Sequence, residues 1–70
     1  MDVRERVGRN VQELRRERGL SQEEVAHRAG VHPTYLSGVE RGRRNPTITV
    51  LQRIALALGS DIEQLVQTSK

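Results

Sequence analysis

The run SQEEVAHRAGVHPTYLSGVER, residues 21–41, contains two helix starts separated by one helix stop. Ser21 with Glu24 forms the S-x-x-E pattern, in which a hydroxyl and a carboxylate each satisfy one backbone N–H at a helix start. Leu20 and Val25 occupy the two positions of a hydrophobic staple around the same start. This helix runs to Ala29, because Gly30 can take left-handed backbone angles without a Cβ clash. A second helix begins almost at once. His32 stands at its N-cap, Pro33 at the first helical position where a missing N–H costs nothing, and Val31 with Leu36 repeats the staple spacing. The two helices therefore meet across Gly30-Val31-His32, a short glycine-containing turn of the kind that joins a helix-turn-helix.

Upstream, Asp2 with Glu5 marks a first helix that sets Val3, Val7, Val11 and Leu14 on one stripe and stops at Gly19. Glu5 and Arg9 are spaced for an i,i+4 ion pair, worth ~0.3 kcal/mol. Downstream of Gly42, Arg43-Arg44-Asn45-Pro46 reads as a loop, since proline pushes the preceding asparagine away from helical angles. Thr47 caps a fourth helix carrying Ile48, Leu51, Ile54, Ala55 and Leu58 and ended by Gly59. Asp61 opens a fifth with Ile62, Leu65 and Val66, followed by the polar tail Gln67-Thr68-Ser69-Lys70. Nothing alternates with period two, so no strand is expected. These signals describe an all-α fold of five helices, with residues 1–70 as a single domain.

Seventy residues enclose one small core, which is marginal unless it shares surface with a partner. A homodimer is therefore expected, joined through Ile62, Leu65 and Val66 of the fifth helix. The absence of cysteine removes disulfides and thiolate metal sites. There is no run of the ~20 apolar residues that span a bilayer, and the first residues lack a signal peptide's apolar stretch. A cytoplasmic protein without a membrane partner is expected. Twelve Lys and Arg stand against nine Asp and Glu, a net charge of +3, and eleven of the twelve are arginine. Arg41, Arg43, Arg44 and Arg53 fall in a stretch, 41–58, that holds no acidic residue. Such a stretch suits phosphate or base-edge contact, although a solvated charged face has the same composition.

The helix from Pro33 to Arg41 has two unlike faces. Tyr35, Leu36 and Val39 fall inward, whereas Thr34, Ser37, Gly38 and Arg41 fall on the other side. Short hydroxyl side chains on an outward face can reach base edges in a major groove without holding the helix off the duplex. Gly38 costs a helix interior ~1 kcal/mol relative to alanine, which calls for a reason: close approach to DNA, or packing against the preceding helix. At the start of that preceding helix, Ser21 and Gln22 sit beside free N–H groups that favour a phosphate. Other chemistries fit poorly. His27 and His32 are five apart, off the i,i+4 spacing of a helical metal site, so no metal and no cofactor is expected. Gly38 to Gly42 lacks the lysine and hydroxyl of a phosphate loop. No cleft is in prospect to dehydrate a reaction, so no catalytic residue is assigned and an enzyme is not expected. With Tyr35 the sole aromatic, an RNA-stacking platform cannot be assembled, and double-stranded DNA is the better partner.

Taken together, Leu20 to Ala26, Ala29-Gly30-Val31, Tyr35-Leu36-Ser37, Val39 to Gly42, Asn45-Pro46-Thr47, Ile54-Ala55 and Ala57-Leu58-Gly59 resemble the Xre/Cro-type, lambda-repressor-like helix-turn-helix family. The segment Pro33 to Arg41 with Arg44-Asn45 is also similar to controller proteins of restriction-modification systems. The resemblance implies a sequence-specific DNA-binding transcriptional regulator. Two copies presenting such helices to successive major grooves would read a pseudo-palindromic operator, and with no effector domain after the fifth helix no small-molecule effector is expected. By the same resemblance Gln22, Pro33, Thr34, Tyr35, Ser37 and Gly38 lie at or near DNA, with Thr34 and Ser37 reading bases. Arg41, Arg43, Arg44 and Asn45 would clamp phosphates, and Arg15 would pair with Glu40 as a structural ion pair. The rival reading is a protein-interaction module, such as an antitoxin that neutralises a partner. Two departures from the family pattern are His32 in place of the usual Ser, Thr or Asp cap, and Ser60 at a position that is commonly apolar.

Overall fold

The computed structural model describes residues 2–68; Met1, Ser69 and Lys70 lie outside the described residues. Five helices follow in order: α1 Val3–Glu17, α2 Gln22–Ala29, α3 Pro33–Glu40, α4 Ile48–Ala57 and α5 Ile62–Val66. No strand occurs among the described residues. Each helix starts at the cap marked in the sequence. Asp2, Ser21 and Asp61 form reciprocal capping boxes with Glu5, Glu24 and Gln64, and Thr47 accepts the Val50 N–H. His32 caps with its ring, Nδ1 accepting the Thr34 N–H at 3.1 Å, so an imidazole does the work of the usual hydroxyl or carboxylate. Glu5 accepts the Asp2 N–H at 3.2 Å, and no ion pair to Arg9 forms among the described residues.

The core gathers one stripe from each helix. Val11, Val25, Leu36, Val39, Ile54, Leu58 and Leu65 are fully buried, with α1 resting on α3 and α5, α2 on α3 and α4, and α4 on α5. This corrects the expected dimer face: Leu65 lies wholly inside its own subunit, and Ile62 packs partly buried against the same core. Of the three, only Val66 is exposed, at 39%. The cause lies on α1. Buried Asn10 donates from Nδ2 to the carbonyls of Leu65 and Gln67, both at 2.9 Å, and Arg6 donates from Nε to the carbonyl of Val66 at 3.1 Å. These bonds satisfy the end of a short helix and hold Leu65 against α1.

Val3 and Ile48, expected on the apolar stripes, are also exposed, at 52% and 75%. At 100° per residue, Ile48 lies about 70° from the centre of the stripe formed by Leu51, Ile54, Ala55 and Leu58, and only the first turn of α4 stands behind it.

Gly8 sets how closely α1 approaches α3. A Cβ there would come within 2.6 Å of the Glu40 carbonyl oxygen and closer still to that of Val39. Both obstacles are backbone, so neither can swing aside. Gly8→Ala is expected to lower the unfolding free energy by ~1–3 kcal/mol in urea denaturation. An unchanged midpoint would mean that α1 and α3 can separate freely.

Candidate nucleic-acid interface

The position of α3 is fixed at its C-terminal end by one carboxylate. The side chain of Glu40 is 1% exposed; its Oε2 accepts from Arg15 Nε at 2.7 Å and its Oε1 from Arg15 Nη2 at 3.1 Å. Arg15 also donates from Nη1 to the Leu20 carbonyl at 2.9 Å. A third donor comes from α2, where Gln22 Nε2 reaches Glu40 Oε1 at 3.0 Å. Gln22 is therefore half-buried with its amide nitrogen engaged by Glu40. Three elements converge on one anion: the fork from α1, the amide from α2 and the end of α3.

With its inner side so held, α3 turns Thr34 to solvent and leaves Ser37 and Gly38 half-exposed. Arg41 donates from Nη2 to Ser37 Oγ at 2.9 Å. Pro33 is half-buried at the first turn, and Ser21 is exposed at the start of α2. Tyr35 packs its ring partly against the core, and the guanidinium carbon of Arg44 lies 5.5 Å from the ring centroid, a cation–π arrangement. The same arginine accounts for Gly38. A Cβ there would lie 2.8 Å from Arg44 Cγ, so the bare backbone is covered by a side chain from the loop rather than by α2. Thr34, Gly38, Arg41, Arg43 and Arg44 line one open depression of about 270 Å³ that contains no acidic side chain. Asn45 is exposed beside it. Arg53 stands apart from this group, its guanidinium bound to the carbonyls of Ala29 and Gly30.

Two carboxylates with shifted titration cap helix starts outside this depression. The Ser21 backbone N–H holds Glu24 below its ordinary range, and the Arg4 side chain does the same for Asp2. Their stabilising effect is present above the ordinary carboxylate range and is lost as pH falls through the depressed values. Among the described residues no cluster of His, Asp or Glu could hold a metal, and no helix is long and apolar enough to cross a membrane.

Residues 11–65 match the family model described as Helix-turn-helix (HTH_3), and the chain belongs to that family. An HTH-type transcriptional regulator of Sinorhizobium fredii, y4dJ, is 54% identical over 66 residues, covering 94% of this chain and 86% of the relative. Control protein C.SmaI of Serratia marcescens is 39% identical over 94% of this chain and 79% of its own length. The crystal structure of the restriction-modification controller protein C.AhdI from Aeromonas hydrophila superposes with a TM-score of 0.86 at 37% identity, covering 89% of this chain and 94% of that one.

Sequence reasoning missed Asn10, Gly8 and the Gln22–Glu40 bond, each of which depends on a neighbour distant in sequence. Removing one side of the buried pair leaves a charge without its partner, so Glu40→Gln is expected to cost ~3–5 kcal/mol in chemical denaturation. The double replacement Arg15→Met with Glu40→Leu should cost less than either single change; a larger, additive loss would show that the two side chains act independently.

Proposed function

We propose that this chain is a sequence-specific, double-stranded-DNA-binding transcriptional regulator of the controller type, acting in the cytoplasm as a binding protein rather than an enzyme. The observation that carries the reading is the acid-free depression on the outward face of α3, where a hydroxyl, a glycine covered by Arg44 and three arginines lie side by side. A helix with that surface enters the major groove, Thr34 and Ser37 meeting base edges while Arg41, Arg43, Arg44 and Asn45 meet phosphates on either side. Pro33, Tyr35 and Gly38 shape this surface. Ser21 presents the free N–H groups of α2 to the backbone, and Gln22, tied to Glu40, orients that start rather than reaching freely for a base.

Two copies are proposed to act together on a pseudo-palindromic operator with half-sites spaced ~34 Å or a multiple. With Leu65 internal, the surface that supports pairing is the depression of about 110 Å³ in which exposed Val3 and Val66 flank Val7, Leu51 and Pro46. Arg44 and Asn45 line the same depression, so pairing there would join the two DNA-facing loops.

The operator selected from a random DNA pool is expected to have two-fold symmetry. Against it, Thr34→Ala or Ser37→Ala should each cost ~1–3 kcal/mol at one base position, while Arg43→Ala should weaken all duplexes and shallow the log-affinity against log-salt slope by ~0.9. If neither kind of change alters DNA affinity, the surface assignment fails. Val66→Glu is expected to shift sedimentation toward monomer; an unchanged profile would place the pairing surface elsewhere.

A further inference from the structure

Of the four arginines in the acid-free stretch, Arg53 alone does not line the depression on α3. Its guanidinium donates from Nε to the Ala29 carbonyl at 2.9 Å and from Nη2 to the Gly30 carbonyl at 2.8 Å. These are the last carbonyl of α2 and the first of the turn into α3. Helix C-termini leave such carbonyls without intrahelical partners and carry partial negative charge, which a cation satisfies on both counts. The neighbouring carbonyls are already engaged, that of Ala26 by the Val31 N–H at 3.0 Å and that of His27 by the Gly30 N–H at 3.2 Å. Gly30 makes the approach possible: it sits at φ +71°, and a Cβ there would stand 2.6 Å from Arg53 Nη2. Ile54, the next residue on α4, is fully buried in the core and holds this part of the helix in place.

We propose that Arg53 is a positioning residue for DNA reading. It braces the turn from α4 and so fixes the angle between α2 and α3, although its charge and place in the sequence resemble those of a phosphate ligand. The turn is short, and it joins two helices that must meet one duplex together. A guanidinium spans two carbonyls as a planar fork, whereas a lysine ammonium is a single point charge and cannot reproduce it. This inference rests on the DNA-binding reading above.

The test compares affinities for the selected operator and for an unrelated duplex of equal length, across a salt series, for the unaltered chain, Arg53→Gln, Arg53→Lys and Arg43→Ala. Both Arg53 variants are expected to lower the specific-to-nonspecific ratio about tenfold, the equivalent of one lost base contact, with the salt slope unchanged. Arg43→Ala should shallow the slope by ~0.9. A merely structural loss of folded protein would weaken both duplexes alike and leave the ratio untouched, so an unaltered ratio overturns the proposal. So does a slope that shallows in Arg53→Gln as it does in Arg43→Ala, or a ratio that Arg53→Lys preserves. If the unaltered chain prefers no duplex at all, the DNA-binding reading itself falls, and the inference with it.

Discussion

The carboxylate of Glu40 is the constraint on which the arrangement of the first three helices depends. Taking an anion out of water is costly unless hydrogen bonds replace its hydration, and here Arg15 and Gln22 supply three. Because one donor set comes from α1 and the other from the first residue of α2, the anion orients both helices against the end of α3. Gly8 lets the backbones of α1 and α3 come close enough for the fork to reach. The inner face of α3 is thereby occupied, and its other face is left to solvent.

Side-chain donors also reach backbone carbonyls in a loop and at helix ends. Arg15 reaches the Leu20 carbonyl, Asn10 and Arg6 reach the end of α5, and Arg53 reaches the end of α2. No buried side-chain nitrogen or oxygen among the described residues lacks a partner. In a chain with so small a core, polar side chains reaching across to a neighbour's backbone supplement apolar packing in fixing how the helices meet. They also sort the arginines. Some are bound to backbone inside the fold, while Arg41, Arg43 and Arg44 line the open depression on α3.

Local signals were legible in the sequence and distant ones were not. All five caps, the turn at Gly30 and the helix stops follow from short-range chemistry, since a cap and its N–H partner lie within a few residues of each other. Gly38 stands out in the sequence as a mid-helix glycine, but its neighbour inside the protein is Arg44, six residues on, and not α2. Leu65 was misplaced because periodicity shows that a residue is apolar on one face, not which neighbour that face meets. The family resemblance pairs Arg15 with Glu40, whereas the part Gln22 plays as third member depends on a neighbour distant in sequence. Arg53 could not be told from its neighbours by charge, since composition carries no information on what a guanidinium touches.

The central claim is that the outward side of α3, with the loop that follows it, is the surface that meets paired bases. It is tested most directly by titrating the isotopically labelled chain with its selected duplex and mapping amide and arginine side-chain resonances by NMR. Perturbations concentrated at residues 33–45 and at the first turn of α2, with the surface around exposed Leu56 unmoved, are the expected result. Perturbations centred on that Leu56 surface, with α3 silent, would contradict the claim.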